Sequence, residues 1–163
     1  MGDPVADGAV LRPTVRVLLI DARERVLLFL MNSDDGQVFW CPPGGGVESG
    51  ETHEEAAVRE LVEETGRAEP VIGPVIGHRR HVVAWSGVTY DCREQWFLAR
   101  VDQIAIDDTG WTDEERVDMT DHRWWTLDEL VRTSDRLVPA DLARVVRDLL
   151  ADGPPHEPWT LAV

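Results

Sequence analysis

Runs of branched apolar residues predict a series of strands. Residues 15–20 and 26–31 are each rich in Val, Leu and Ile, and the polar segment 21–25 between them is typical of a turn. The two runs are therefore expected to form a hairpin. A short apolar stretch covers 38–41, and further strand-like runs follow at 71–85, 88–90, 95–101 and 122–126.

Three segments have the signals of helices. The clearest begins after Thr52, a good N-cap residue, with Glu55 placed to complete a capping box and Gly66 as the stop signal. Residues 127–132 and 140–151 predict two shorter helices. Strands interleaved with helices predict an α/β fold in which helices cover a mixed sheet.

The length of 163 residues gives room for one domain of ordinary size. We expect a loose leader at 1–12, a single domain at 13–151 and a tail at 152–163. The longest apolar run, 26–31, is far too short to span a bilayer.

Charge narrows the range of partners and chemistries. The formal net charge is -15, so the chain is expected to repel nucleic acid and anionic membranes. All 16 basic residues are arginines, and the sequence contains no lysine. Schiff-base chemistry on a lysine and a phosphate-loop lysine are therefore excluded. The two cysteines, Cys41 and Cys92, form no Cys-x-x-Cys pair, which favours a reducing, cytoplasmic location.

Three glutamates are grouped on the predicted helix. Glu60, Glu63 and Glu64 stand at i, i+3 and i+4, so their side chains are neighbours on one face. Like charges at this spacing destabilise an isolated helix by roughly 0.2–0.5 kcal/mol per pair. The helix dipole also disfavours anions in the C-terminal half. A hard divalent cation such as Mg²⁺, which takes oxygen ligands, would remove the conflict.

Two neighbouring features fit a cation site. The glycine triplet 44–46 lets the backbone approach closely, so that a carbonyl can turn toward a metal. The fork of Arg59 can hold a carboxylate through paired hydrogen bonds. The alternative is that the glutamates form only a solvated helix surface and the glycines only a turn.

The segment from Gly45 to Arg67 resembles the signature box of the Nudix hydrolases. Arg67 is the one departure, because the family usually has an aliphatic residue there. The resemblance extends over roughly 13–133 and includes flanking residues on both sides of the box. The matching box positions are Gly45, Glu51, Arg59, Glu60, Leu61, Glu63, Glu64 and Gly66.

This resemblance implies an α/β/α sandwich with a loop-helix-loop metal site. The implied reaction is hydrolysis of a diphosphate linked to another moiety, usually in a nucleotide. The implied ligands of Mg²⁺, with Mn²⁺ as a substitute, are the Gly45 carbonyl and the carboxylates of Glu60, Glu63 and Glu64. Arg59 would orient these carboxylates, and Glu51 would brace the loop against the helix.

A carboxylate must take a proton from the attacking water. Relatives place this base on the box helix or on a later loop. We expect Glu63 to be the base. The loop candidate is Glu115 or Glu114, since both lie in the acidic, loop-like stretch 107–121.

The substrate is defined only broadly. The proline marker of ADP-ribose hydrolases and the tyrosine marker of dinucleoside polyphosphate hydrolases are both absent downstream of the box. This leaves nucleoside di- or triphosphates and nucleotide sugars. Arg79 and Arg80 are candidate phosphate contacts, and Trp40 is a candidate for stacking on a base.

Other functions remain open at this point. The first alternative is a nucleotide-sensing module without turnover, although the intact glutamates argue against it. An isoprenoid-diphosphate isomerase would need a cysteine at its site, and neither cysteine can be assigned there. An acidic interaction domain is the third alternative, and a homodimer is one assembly left open.

Overall fold

The computed structural model describes residues 3–67, 69–102 and 104–163. One mixed sheet and four helices make up this part of the chain. The strands are β1 (Val10–Ile20), β2 (Val26–Asn32), β3 (Val38–Cys41), β4 (Gly44–Gly46), β5 (Val75–Trp85), β6 (Val88–Arg100), β7 (Met119–Trp125) and β8 (Trp159–Thr160). The helices are α1 (His53–Thr65), α2 (Asp113–Asp118), α3 (Leu127–Arg132) and α4 (Leu142–Asp152).

The sheet has the strand order β3-β2-β1-β6-β5-β8, with β4 paired to β1 and β7 paired to β2. The strands β1 and β6 run parallel, as do β5 and β8, and the other pairs are antiparallel. The predicted hairpin forms, with Ile20 opposite Val26. Strand β4 pairs with residues 14–16 of β1, so the glycine triplet lies beside a central strand of the sheet.

Each face of the sheet has its own hydrophobic core. On one face, Leu61 and two alanines of α1 pack with residues of β1, β2 and β6. On the other face, Leu130 of α3 and Leu142 of α4 pack with Trp96 and Trp125. The fold is therefore a sheet between helices, and its α/β class agrees with the prediction.

Helix α1 begins and ends where the sequence predicts. The Thr52 hydroxyl accepts a hydrogen bond from the Glu55 amide, and the Glu55 carboxylate accepts one from the Thr52 amide, which completes the capping box. Gly66 ends the helix with a left-handed φ of 73°. Leu61 packs in the core, and the buried acids Glu60 and Glu64 lie on the neighbouring side of the helix, toward β4.

The ends of the chain are more ordered than the predicted leader and tail. Strand β1 starts at Val10, because its whole length pairs with 90–100 of β6. Before it, the Ala6 amide donates to the Asp91 carboxylate at 3.0 Å. Within the predicted tail, Trp159–Thr160 pairs with β5 and Leu161 is buried. Met1 and Gly2 of the predicted leader lie outside the described residues.

Two internal segments also differ from the prediction. Strand β6 is continuous from Val88 to Arg100, whereas the pattern broke at 91–94. The polar residues there include Asp91 and Glu94, which are buried and paired with arginines. Part of the acidic stretch 107–121 forms the short helix α2 and the start of β7. None of the helices that the structure describes is long and apolar enough to cross a membrane.

Candidate metal centre and active site

The glycine strand β4 places its backbone against the acids of α1. The Gly44 amide donates to Glu64 Oε2 at 3.2 Å. A Cβ added at Gly45 would lie only 2.3 Å from Glu60 Oε1. Only a glycine therefore allows this close approach of backbone and carboxylate.

Arg59 joins the glycine strand, the following loop and the helix. Its guanidinium donates twice to the Glu51 carboxylate, at 2.8 Å from Nε and 3.0 Å from Nη2. Nη2 also donates to the Gly46 carbonyl at 2.9 Å. Nη1 lies 2.9 Å from Glu60 Oε1 and 3.3 Å from Glu63 Oε2. One planar cation thus fixes three carboxylates and one carbonyl, as its fork geometry permits.

The three glutamates of the box differ in how far their side chains are exposed to solvent, and burial changes the pKa of two of them. Glu60 and Glu64 are buried, whereas the Glu63 side chain is 42% exposed. Burial raises the pKa of Glu60, although the nearby Arg59 opposes this shift. Burial and the charge of Glu60 raise the pKa of Glu64 well above its ordinary value. The protein alone therefore stabilises these two buried charges poorly.

The donor set fits a hard divalent cation. Every candidate ligand is an oxygen atom, from the carboxylates of Glu60, Glu63 and Glu64 or from the Gly45 carbonyl, and Mg²⁺ prefers oxygen ligands. Two of these carboxylates bind Arg59. Within the described ranges, three acidic, His or Cys side chains do not converge on one point. A bound cation would supply the positive charge that the buried Glu64 carboxylate needs. The chemistry and the burial of these residues therefore fit a divalent cation.

The stretch before α2 is attached to the C-terminal end of α1. Trp111 Nε1 donates to the Glu64 carbonyl at 2.9 Å. Four residues later, Glu115 caps α2 by accepting from the Thr112 amide at 2.7 Å. The Glu115 charge is close enough to contribute to the raised pKa of Glu64. The structure therefore brings the predicted loop acid toward the box helix.

A family comparison decides the classification of this arrangement. The model of the NUDIX domain matches residues 10–149. The chain belongs to the Nudix family. The family resemblance and the predicted enzyme class, a Nudix pyrophosphohydrolase, are confirmed.

Several known proteins are similar to most of the chain. An RNA pyrophosphohydrolase of Cereibacter sphaeroides is 31% identical over 159 residues, covering 89% of this chain and 91% of that protein. An RNA pyrophosphohydrolase of Novosphingobium aromaticivorans is 33% identical over 110 residues, covering 61% and 68%. The solved NUDIX hydrolase from Nitrosomonas europaea has a TM-score of 0.65 at 20% identity, covering 89% and 92%, and supports the fold.

Trp40 does not lie open to a substrate in this Nudix fold. It is 6% exposed, stacks edge-on against Trp125 with ring centroids 5.2 Å apart, and donates from Nε1 to Asp135 at 3.0 Å. Its ring is part of the hydrophobic core below α3 and α4. The structure therefore contradicts the predicted stacking role, because neither ring face is available to a base.

Arg79 and Arg80 do not form a free basic patch. Strand β6 separates their strand, β5, from β1 and the Nudix glycines. The Arg79 side chain is buried and contacts Glu94 at 3.3 Å. The Arg80 side chain pairs with the buried carboxylate of Asp91 at 2.7 Å. Each arginine thus has a carboxylate partner within the protein, and neither contacts the Nudix acids.

Sequence reasoning missed Arg16, which the structure places beside the Nudix glycines. Its Cα pairs with that of Gly44, and its Nη1 donates to the Pro42 carbonyl at 3.2 Å. The sequence did contain a signal for Arg16, because it is a charged residue within a strand of otherwise branched, apolar residues. Trp111 was missed as well, and its anchoring bond to α1 has no local sequence pattern.

Proposed function

We propose that this Nudix protein uses Mg²⁺, or Mn²⁺ in its place, to hydrolyse the pyrophosphate bond of a nucleotide-type substrate. The observation that supports this most strongly is the pair of buried carboxylates, Glu60 and Glu64, placed against the backbone of the glycine strand. Such a pair is costly unless a cation compensates it. A solvated acidic surface, the simplest alternative, does not require burial.

Each residue has a separate part in this proposal. Glu60, Glu63 and Glu64, with the Gly45 carbonyl, would hold the cation. A bound divalent cation supplies charge neutralisation of the phosphates and a lowered pKa for the attacking water. Arg59 keeps the carboxylates oriented, since it contacts Glu60 and Glu63 directly.

Glu63 is the preferred general base. Its side chain is the exposed member of the three, so its carboxylate can reach a water molecule outside the helix. The carboxylate of Glu115 is already used to cap α2 through the Thr112 amide. Glu115 therefore has to give up a structural hydrogen bond to act as the base, and it is the second candidate.

Two substrate classes are proposed. Nucleoside di- and triphosphates and nucleotide sugars require only a small site and are compatible with a net charge of -15. The names of the relatives favour a second candidate, the 5′ end of an RNA. A 5′-terminal triphosphate presents the same pyrophosphate bond, although repulsion from the acidic protein would weaken binding of a longer strand.

A product-release screen tests the proposal, with chromatography to separate the nucleotide, sugar phosphate, pyrophosphate or phosphate that each substrate would release. The panel contains nucleoside triphosphates, nucleoside diphosphates, nucleotide sugars, ADP-ribose, dinucleoside polyphosphates and a short RNA with a 5′ triphosphate, each with Mg²⁺ and with a chelator. We expect Mg²⁺-dependent release from at least one class. Nucleotide binding without any release would instead support a sensing module.

A further inference from the structure

Arg16 is a cation built into the wall of the candidate active site. It lies on β1 directly opposite Gly44 of the glycine strand. Its Nη1 donates to the Pro42 carbonyl at 3.2 Å and approaches Cys41 Sγ at 3.7 Å. Its Nε lies 3.5 Å from Glu94 Oε1. The protein thus fixes the guanidinium through two of its nitrogens, Nη1 and Nε.

Glu94 does not fully neutralise the positive charge of Arg16, because it also pairs with Arg79. Glu94 is buried and is shared with Arg79 at 3.3 Å and with Trp96 Nε1 at 3.0 Å. Two guanidinium groups therefore surround one carboxylate. The neighbouring His81 is uncharged at neutral pH, because burial lowers its pKa to about 4. This cluster keeps one excess positive charge next to an otherwise acidic site.

Arg16 also remains accessible and close to the Nudix acids. Its side chain is 22% exposed, although its backbone lies in the middle of the sheet. Burial alone would lower the pKa of Arg16, but Cys41 and the charges of Glu94, Glu64 and Glu60 raise it overall, so Arg16 stays a cation. Gly44 lies between Arg16 and Glu64, since its amide donates to that carboxylate.

We infer that Arg16 binds a phosphate group of the substrate and positions the pyrophosphate against the cation site. This inference rests on the proposed function. Nη1 holds the Pro42 carbonyl and Nε faces Glu94, whereas Nη2 has no hydrogen bond to any residue that the structure describes and is left for phosphate oxygens. A neutral residue would pack more easily in this strand, because an ion in a sheet interior must be compensated. The position is thus explained by a ligand that brings negative charge.

Binding of methylenediphosphonate, which has a non-hydrolysable bridge, tests the inference in the presence of Mg²⁺. Calorimetry compares wild type with Arg16→Met and Arg16→Lys, and Arg147→Met serves as a control with the same charge change on exposed α4 surface. We expect Arg16→Met to weaken diphosphonate binding at least tenfold, Arg16→Lys to weaken it less, and Arg147→Met to leave it unchanged. Binding of Mg²⁺ alone should not weaken in any of the four proteins, because loss of a neighbouring positive charge does not oppose a cation.

Arg16→Met removes a cation beside the buried Glu94 carboxylate, which costs stability. The double variant Arg16→Met/Glu94→Gln, which removes that charge as well, is therefore measured beside it. Diphosphonate binding that matches wild type in a folded Arg16 variant overturns the inference. The inference is also overturned if Arg16→Met loses Mg²⁺ affinity as strongly as diphosphonate affinity, which indicates a purely structural role. It is overturned as well if wild type fails to bind methylenediphosphonate. Arg16-dependent binding in a protein that hydrolyses nothing contradicts the proposed function and leaves the inference intact.

Discussion

The Arg59 guanidinium donates two hydrogen bonds, of 2.8 Å and 3.0 Å, to the carboxylate of Glu51, which lies eight residues earlier in the sequence. Glu51 also accepts from the Glu48 amide at 2.9 Å. These bonds tie the segment after the glycine strand to the middle of α1. They therefore fix the distance between the loop and the acids that the cation site needs.

The same contact makes stability depend on acid pH. Hydrogen bonds from Arg59 and the Glu48 amide lower the pKa of Glu51 from 4.5 to about 2. As the pH falls, the unfolded chain binds the proton first, so the contribution of the pair is complete above the unfolded pKa and is lost as the pH falls through the folded value. We expect the stability difference between wild type and Glu51→Gln to shrink from about pH 5 to about pH 2. Urea unfolding at each pH measures it, and a difference that does not change with pH contradicts this role.

Neutralising Glu63 should separate catalysis from folding. Glu63→Gln is expected to reduce turnover by about 10²–10⁴-fold, the usual contribution of a general base. Its stability should change by less than about 0.5 kcal/mol, because only a half-exposed pair with Arg59 is lost. Steady-state kinetics and thermal melting check both effects. Glu54→Gln, on the exposed first turn of α1, is the matched control, and turnover of Glu63→Gln equal to that of this control removes Glu63 from the mechanism.

The close approach of Gly45 to Glu60 gives a steric prediction. In Gly45→Ala the new methyl group would lie 2.3 Å from Glu60 Oε1, so the carboxylate must move. The end of a glutamate side chain can swing away at small cost in stability, but a displaced ligand should lower turnover by about 10²-fold. Gly46→Ala is the control, since its nearest neighbour, Arg12 Nε, is 3.5 Å away. Equal activity of the two variants would show that Glu60 does not need its position.

Local signals made α1 and its acids predictable. The capping box at Thr52 and Glu55 involves residues three apart, and the glutamate spacing is set by the helix itself. The two shorter helices were placed within two residues of their ends for the same reason. Properties that depend on neighbours along the chain were therefore visible in the sequence.

Long-range pairing set the features that were missed. Strand β6 passes through the polar residues 91–94 because distant arginines neutralise its buried acids, as Arg80 does for Asp91. Trp40 is in the core because α3, α4 and β7 cover it, which no local pattern indicates. The strand β8 exists only because β5 offers it an edge. Each of these depends on a contact between residues far apart in the sequence.

The central claim is that the buried acids of α1 form a site for a divalent cation. Thermal melting of wild type and Glu64→Gln, in chelator and in millimolar Mg²⁺ at matched ionic strength, tests it most directly. In chelator, Glu64→Gln should melt at the same temperature or higher, because burial and Glu60 raise the pKa of Glu64 and its charge is unfavourable at neutral pH.

With Mg²⁺, wild type should gain stability, by about 2.7 kcal/mol when the cation is at 100 times its dissociation constant, and Glu64→Gln should gain much less. A wild-type melting temperature that Mg²⁺ leaves unchanged, or an equal increase in both proteins, would contradict the account.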